Sequence, residues 1–249
     1  MDNKCRIGID VGGTFTDIVA VSNTGTVTFS KAASTPNDPS IGVMNAVERL
    51  ADELGINSET LLSKTESIVH GTTVATNALL ERKGAKTGLL TTLGHRDVLE
   101  MREGLKDDRY NMRLPAPAPL VPRFLRLGVR ERIKPDGSIH TKLDDTSLDE
   151  AINKLREEKV TSVAVCYLHA YKEPKHEQET KKILEAKLPG VSVSISSEVF
   201  PEIKEYERVS TTIVNAYVRP IVENYLNRLE ERLKNAGYKG SVLIILSHG

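Results

Sequence analysis

Residues 6–17 read RIGIDVGGTFTD, and this stretch predicts the fold of the first part of the chain. Alternating apolar residues up to Asp10 indicate a β-strand, and the Gly-Gly-Thr after the strand indicates a tight polar turn. The two glycines can adopt positive φ and allow a ligand close to the backbone, while the two threonines bring hydroxyl donors and their own N–H groups. A turn of this composition favours a phosphate group as its ligand.

Two carboxylates flank this turn. Asp10 ends the strand and Asp17 follows the turn, and both would repel a bare phosphate. We therefore expect a divalent cation to lie between them and the phosphate. Magnesium fits because it keeps several waters and is usually held by one or two carboxylates together with phosphate oxygens. The alternative interpretation is an ordinary β-hairpin turn that binds nothing, because Gly-Gly-Thr turns are common.

The same stretch resembles the first phosphate loop of the sugar kinase, Hsp70 and actin superfamily and, more closely, the start of the hydantoinase A and 5-oxoprolinase family. The resemblance implies an α/β fold with a ribonuclease H-like half built on a mixed sheet, joined to a second small α/β subdomain. It also implies that Asp10 is a catalytic residue that organises Mg2+ through water, and that the loop contacts the phosphates of ATP. The residues that it assigns to ATP are Gly12, Gly13, Thr14, Phe15, Thr16 and Asp17.

The composition argues against several other functions. Lysine plus arginine and aspartate plus glutamate both number 34, so charge favours neither nucleic acid nor an anionic membrane as a partner. The longest wholly apolar runs are far shorter than a membrane span, and the N-terminus lacks the architecture of a signal peptide. Cys5 and Cys166 are too few for a disulfide framework, so we expect two buried thiols and a cytoplasmic location. Walker A, dinucleotide-binding and zinc-protease motifs are absent from the sequence.

The apolar pattern predicts the order β-β-β-α-β-α-β over the first part of the chain, with the second helix capped by Thr72 or Thr73 and ended by Gly84. This is the half-domain order of the superfamily named above, and it supports the assignment of the loop. The predicted strands are 6–10, 18–21, 26–30, 67–70 and 87–91, and the first helix is 41–54.

Residues 70–82, HGTTVATNALLER, resemble a signature of the hydantoinase and oxoprolinase family. The resemblance implies that His70, Thr72 and Thr73 are catalytic residues facing the acceptor, with Asn77 in or near the same cleft. The strand-then-helix order also places them at a helix N-terminus, where anions are favoured. The alternatives are a hydrogen-bonded core histidine and ordinary helix capping by the threonines.

Two further segments resemble the family: residues 94–103, GHRDVLEMRE, and residues 197–220, which begin SEVFPEIKEYER. In the first segment, His95 stands where the family commonly has an aromatic residue. Both segments are rich in charge, so exposed helices with salt bridges are the alternative to a site for a polar substrate. The candidate cleft residues are Arg96, Asp97, Arg102, Glu205, Glu207, Arg208 and Asn215.

The proline-rich stretch 114–122 predicts an extended connector into the second α/β subdomain. There we expect strands at 126–133, 161–167 and 191–196, a turn at 135–138, and helices from 148 and at 174–187. A long helix follows, and Pro220 is expected to kink or break it. The domains are then an N-terminal domain at 1–195, comprising a phosphate-loop half at about 1–110 and a subdomain at about 123–195, and the start of a main domain at 197–249.

An apolar strand leads to Gly249, so we expect a truncated fragment that holds half of a nucleotide site. The resemblance implies an ATP-dependent enzyme that phosphorylates the carbonyl oxygen of a cyclic amide or a ketone, with a hydantoinase B-type subunit as partner in an oligomer. The fragment alone is expected to be inactive. The alternative function is a nucleotide-dependent conformational or assembly protein like Hsp70 or actin, and a third is binding of a partner subunit only.

Overall fold

The computed structural model describes residues 4–104, 108, 110–115 and 117–245. The chain divides into two compact units after Glu81 and after Pro220. The first unit comprises the residues up to Glu81 and those from Ile221 onward, and the second is Arg82–Pro220.

The first unit contains a five-stranded mixed sheet with the order β11-β4-β1-β2-β3. β2 is antiparallel to both β1 and β3, whereas β4 is parallel to β1 and to β11. This order confirms the ribonuclease H-like half. The strands are β1 Cys5–Val11, β2 Phe15–Ser22, β3 Val27–Ala33, β4 Thr65–Thr72 and β11 Val242–Ile244.

One face of this sheet builds the core, because β1 alternates buried and accessible residues along its length. Helix α1, Pro39–Glu53, packs on this face and is capped by Asp38, whose side chain accepts a hydrogen bond from the Ser40 amide. Helix α2, Ser58–Lys64, was not predicted, and α3 is Val74–Leu80. The core of this unit includes Ile7, Ile9, Ile18, Val43, Val47, Leu50, Leu61, Leu62, Ile68, Tyr225, Leu229 and Leu233.

The second unit contains a four-stranded parallel sheet with the order β10-β9-β5-β6. All residues of β5 and β9 are buried, as expected for interior strands of a parallel sheet. The strands are β5 Thr87–Thr92, β6 Arg126–Val129, β9 Ser162–Cys166 and β10 Ser192–Ile195, and β7 Arg132–Ile133 and β8 Ile139–Thr141 form a separate hairpin. The helices are α4 Val98–Met101, α5 Asp145–Glu157, α6 Lys175–Lys187, α7 Ser196–Val199 and α8 Glu205–Asn235, the last of which extends into the first unit.

Three features differ from the sequence prediction. β5 joins the second sheet rather than the first, because apolar character specifies a buried strand but not its partners. The strand predicted at 126–133 is two strands, because the amide of Arg130 donates to Ser147 Oγ and leaves the ladder. The helix does not break at Pro220: α8 continues through this residue, with buried residues on both sides of it, and a kink there stays a prediction.

Other predictions are confirmed. Cys5 and Cys166 are both free and buried, and burial raises the pKa of the Cys166 thiol to about 11. The described residues of the connector 114–122 form neither helix nor strand. Within the described ranges, no helix has the length and apolar character needed to cross a membrane.

Candidate functional site

The turn between β1 and β2 is a tight hairpin at the edge of the first unit. The amide of Gly12 donates to the carbonyl of Phe15 at 3.0 Å, so Gly13 and Thr14 form the tip. Among the described residues, no hydrogen-bond acceptor faces the amides of Gly13 and Thr14 or the hydroxyl of Thr14. The tip is exposed, and it therefore presents two N–H groups and one hydroxyl to any anion that approaches.

Asp10 and Asp17 lie directly opposite each other on β1 and β2, and both are exposed. Like charges in this position repel, but Lys31 on β3 lies opposite Asp17 and pairs with its carboxylate at 2.9 Å. The same ammonium lies 4.9 Å from the centre of the Phe15 ring. Asp10 has no hydrogen bond or ion pair with any residue that the structure describes. The two carboxylates are therefore unequal, and Asp10 is the one that is open to a cation.

A glycine in β4 makes room for the Asp10 carboxylate. The parallel pairing of β1 and β4 sets Gly71 beside Asp10, and a Cβ at Gly71 would lie 3.4 Å from Asp10 Oδ1. Gly71 belongs to the HGTT sequence but was not predicted as a site residue. The signal that would have identified it is the strand pairing, which the sequence does not show.

The two glycines of the turn differ in how much space a side chain would have. Neither Gly12 nor Gly13 has positive φ, so the turn does not use this freedom of glycine. A Cβ at Gly12 would lie only 3.2 Å from the carbonyl oxygen of Phe15, whereas one at Gly13 would lie 3.7 Å from Asn77 Nδ2. The first distance is tight for a Cβ, whereas the second is an ordinary van der Waals contact, so only a side chain larger than a methyl group would crowd Asn77.

The side chain of Thr16, one of the residues predicted to contact ATP, does not face solvent. Its side chain is fully buried and lies 3.1 Å from the hydroxyl of Ser34. Ser34 in turn donates to the carbonyl of Gly12 at 2.8 Å, and its amide donates to the carbonyl of Thr14 at 2.9 Å. Ser34 therefore donates hydrogen bonds to two carbonyls of the turn, those of Gly12 and Thr14. Sequence reasoning missed it because it follows β3 and is distant from the turn in the sequence.

His70 is a core residue, which favours the alternative interpretation of a hydrogen-bonded core histidine over a residue that faces the acceptor. Its side chain is fully buried on the same face of β4 as Ile68, and its Nε2 lies 2.7 Å from the hydroxyl of Tyr225. Burial lowers the pKa of His70 below its ordinary value, and the charge of Asp10 opposes this only in part. The alternation of buried residues at 68 and 70 is the signal that indicates this outcome.

The threonines of the second signature lie at the start of α3. Thr72 accepts a hydrogen bond from the Val74 amide, which is the capping role of the alternative interpretation. Thr73 donates from its amide to the carbonyl of Val11 at 3.2 Å, and its hydroxyl accepts from Asn77 Nδ2 at 3.2 Å. Thr73 and Asn77 therefore lie next to the turn, whereas Thr72 is occupied by the helix.

Some of the candidate cleft residues in the second unit have a structural role, and others are accessible. Arg208 is buried and donates to the carbonyls of Glu202 and Tyr167, and Asn215 donates to Ser194. Asp97 forms a bidentate pair with Arg123, which lowers the pKa of this carboxyl. Arg96 lies 4.0 Å from the carboxylate of Asp97, while Arg102, Glu205 and Glu207 line one surface cavity.

The second unit also contains a buried polar cluster, formed by Glu131, His176 and Thr92. Glu131 contacts the Thr92 hydroxyl with one oxygen and His176 Nδ1 with the other, the latter at 2.8 Å. The Thr92 hydroxyl also accepts from the amide of Leu168 at 3.0 Å. Because both carboxylate oxygens of Glu131 are occupied, this cluster stabilises the interior.

A metal ion would have few protein ligands at the turn. No group of three or more metal-ligating side chains occurs among the described residues. A lone open carboxylate next to free amides suits a cation that is held mainly by waters and by phosphate oxygens, as Mg2+ is. The donor set at the turn therefore fits a magnesium–phosphate group better than a metal bound by protein alone.

The sequence profile of the hydantoinase/oxoprolinase N-terminal region matches residues 6–188, and a second hydantoinase/oxoprolinase profile matches residues 208–249. The chain belongs to the hydantoinase/oxoprolinase family. Its relatives in this family include enzymes that are named as subunits of larger assemblies.

Three family relatives set the scale of the similarity. The caprolactamase subunit alpha of Pseudomonas jessenii is 41% identical over 98% of this chain and 35% of that subunit. The acetophenone carboxylase gamma subunit of Aromatoleum aromaticum is 36% identical, with the same coverage. The crystal structure of the ATP-dependent caprolactamase gives a TM-score of 0.89 over 96% of this chain and 35% of that one. The nucleotide-free acetone carboxylase gives 0.88 at 27% identity, over 99% of this chain and 36% of that one.

This chain therefore spans about a third of the length of the relatives that it matches. Two of these relatives are described as ATP-dependent, namely the caprolactamase and the acetone carboxylase.

Proposed function

We propose that the chain carries the phosphate-binding part of an ATP-dependent enzyme that phosphorylates a carbonyl oxygen to drive cyclic amide hydrolysis or ketone carboxylation. One observation carries this proposal: the unpaired carboxylate of Asp10 lies beside a turn whose amides at Gly13 and Thr14 have no partner. Unpaired polar groups at the end of rigid strands are typical of a binding site. In a turn with only a structural role, groups placed in this way would add nothing to the stability of the fold.

Each residue has a defined role in the proposal. Gly13 and Thr14 bind phosphate oxygens through their amides, and Asp10 orients the waters of Mg2+. Asp17 supports the turn through its ion pair with Lys31. Phe15 packs under this ammonium and keeps it in place. Bound ATP supplies the phosphoryl group that makes a carbonyl carbon electrophilic or its oxygen a leaving group.

The rim of the site is provided by the start of α3. Thr73 and Asn77 lie next to the turn and have polar groups that can contact a ligand bound there. The hydroxyl of Thr72 accepts a hydrogen bond from the Val74 amide, so Thr72 helps to position α3. His70 is not part of the proposed machinery because it is buried against Tyr225.

The relatives and the family resemblance, rather than contacts in this chain, support the proposed substrate and partner. We propose a cyclic amide or a ketone as the acceptor and a hydantoinase B-type subunit as the partner for the later chemical step. A chaperone-like or filament-forming function has no specific support, because the relatives that match the chain along its length include a caprolactamase and two carboxylases.

The test is ATP turnover by the full-length protein with its partner subunit, measured with caprolactam, 5-oxoproline or acetophenone and bicarbonate. We expect one of these acceptors to stimulate the release of ADP. Asp10→Asn should reduce the stimulated rate by at least about 100-fold, since a metal ion contributes several kcal/mol of transition-state stabilisation. Asp17→Asn is the matched control, and it should retain most of the rate. Wild-type turnover by Asp10→Asn would exclude Asp10 from the mechanism.

A second variant tests the turn. Gly13→Val places two methyl groups in the gap between the turn and Asn77, where even a Cβ lies 3.7 Å from the amide nitrogen. We expect weaker binding of Mg-ATP with an unchanged far-UV circular dichroism spectrum. If the affinity for nucleotide is unchanged, the turn does not bind the phosphates.

A further inference from the structure

A cavity of about 500 Å³ opens on the surface of the second unit, and no residue of the β1–β2 turn lines it. Four segments line it: 94–103 and 197–220, which both resemble family segments in the sequence, together with Arg132 of β7 and the two residues 168–169 that follow β9. Its volume lies in the range of sites for small molecules. Neither the proposed nucleotide site nor the buried Glu131 cluster accounts for its side chains.

The charges in this cavity are incompletely paired. Lys204 lies 3.4 Å from Glu103 and 3.3 Å from Glu207, so these three groups neutralise one another in part. Arg102 and Arg132 are half-buried and form no ion pair with a carboxylate of any described residue. Two guanidinium groups therefore lack a paired carboxylate, and they balance the carboxylate of Glu205 and the one negative charge that Lys204 leaves on its two glutamates. A half-buried guanidinium without a counter-ion is unfavourable, and a bound anion would relieve this.

His95 keeps Arg132 in position without neutralising it. The Nη1 of Arg132 lies 3.1 Å from Nε2 of His95, and because arginine only donates, Nε2 must accept. Burial and the charge of Arg132 lower the pKa of His95, so its ring is neutral near pH 7 with its proton on Nδ1. The other N–H groups of Arg132 are left for a ligand.

Backbone strain is concentrated around the same cavity. Five non-glycine residues among those described have positive φ, and three of them line it: Arg102, His169 and Lys204. Arg102 has φ 54° and ψ −145°, close to a region that is otherwise populated almost only by glycine. Strain of this kind is unfavourable and persists where the surrounding structure requires a particular backbone conformation.

We propose that this cavity binds a small molecule through its carboxylate, with Arg102 and Arg132 as the groups that recognise it. The planar fork of a guanidinium matches a planar carboxylate. Because the charged side chains that line the cavity sum to zero, a singly charged ligand meets less repulsion than a doubly charged one. A doubly charged phosphate would meet greater repulsion from Glu205 and its acidic neighbours. Glu205 can accept a hydrogen bond from an N–H or O–H group elsewhere on the same ligand. The site does not require nucleotide, so it stands or falls separately from the proposed function.

The test uses the full-length protein in the absence of nucleotide. Acetate is the probe. Arginines are labelled with phenylglyoxal, and the labelled positions are mapped by peptide mass spectrometry. At about ten times the Kd of acetate, labelling of Arg102 and Arg132 should slow about tenfold, because about one site in eleven remains free. Arg130, which is exposed and lies two residues before Arg132 in the sequence, should label at an unchanged rate.

Two variants and two other salts complete the experiment. In Arg132→Gln, acetate should no longer protect Arg102, and in Arg102→Gln it should no longer protect Arg132, whereas Arg130→Gln should retain protection at both. If one of the cavity variants does not fold, the reciprocal variant gives the same measurement. Chloride at equal ionic strength should protect neither residue. The proposal is overturned if acetate protects neither arginine, if Arg130 is protected equally, if phosphate protects and acetate does not, or if protection survives in the cavity variants.

Discussion

The β1–β2 turn and the Glu131 cluster are both rich in polar groups, yet they use them in opposite ways. At the turn, the carboxylate of Asp10 and the amides of Gly13 and Thr14 are exposed and unpaired. In the cluster, both oxygens of Glu131 are buried and hydrogen-bonded. The exposed groups at the turn can still form hydrogen bonds with a ligand. The hydrogen bonds of Glu131 already contribute to the stability of the fold.

This difference separates candidate functional residues from structural ones within the family signatures. Asp10 and His70 both come from signature segments, and both are chemically able to take part in catalysis. Only Asp10 is accessible, because His70 is buried and bonded to Tyr225. Mutations should therefore affect stability most where polar groups are paired and least where they are open.

The largest expected effect is for Glu131→Ala. The variant leaves Thr92 and His176 without their buried partner, and we expect the free energy of unfolding to fall by about 3–5 kcal/mol. Urea denaturation followed by circular dichroism measures this change. Glu185→Ala, which removes an exposed glutamate from α6, is the control and should stay within about 0.5 kcal/mol. A small loss for Glu131→Ala would mean that the cluster is not a major source of stability.

Tyr225→Phe should have an intermediate effect. It removes the hydroxyl that lies 2.7 Å from Nε2 of His70 and leaves this buried nitrogen unsatisfied. We expect a loss of about 1–3 kcal/mol in the same denaturation experiment. Tyr110→Phe is the matched control, because Tyr110 is almost fully exposed. Equal stabilities of the two variants would contradict the structural role of His70.

The pH dependence of stability should report His70 directly. Its pKa in the folded protein is lowered by burial, so the unfolded chain takes up the proton first as the pH falls below about 6.5. Stability is therefore highest above this pH and decreases below it, by at most about 1.4 kcal/mol per pH unit for one group. His70→Phe should remove part of this decrease, as should His95→Phe, whose pKa is also lowered. An unchanged slope in His70→Phe would show that His70 titrates normally.

The smallest effect on stability is expected for Asp10→Asn. Its carboxylate has no partner and faces Asp17 across the strand pair, so the free energy of unfolding should change by less than about 0.5 kcal/mol. Asp17→Asn loses the ion pair with Lys31 and should cost up to about 1 kcal/mol. A clear destabilisation by Asp10→Asn would mean that Asp10 is a structural residue. The contrast between open polar groups at the turn and paired polar groups in the interior would then be wrong.

Much of the fold was predictable from local patterns. Alternation in β1, the Gly-Gly-Thr turn and the helical spacing of α1 all specify their elements within a short stretch of chain. The partners of a strand are not specified in this way: β5 is identifiable as a buried strand, but its neighbours lie in another part of the chain. The mixed sheet and the family resemblance were nevertheless sufficient for the fold class.

The candidate site was predictable only in part. The position of Asp10 and the turn follows from sequence, whereas the support of the turn by Ser34 and the space at Gly71 depend on strand pairing and on contacts across β2. The roles of the turn residues remain a proposal. For His70, the family resemblance implies a catalytic role, whereas its burial on the same face of β4 as Ile68 favours a core position.

The support behind the turn limits how the motif can be transferred to other proteins. The twelve residues RIGIDVGGTFTD contain the ligand-facing groups, but the serine that holds their carbonyls follows β3 and the glycine that leaves room for the carboxylate is in β4. A graft of the motif alone onto another hairpin would carry the sequence without its geometry. The smallest transplantable unit is therefore the stretch from Cys5 to Asn77, which includes four strands and the start of α3.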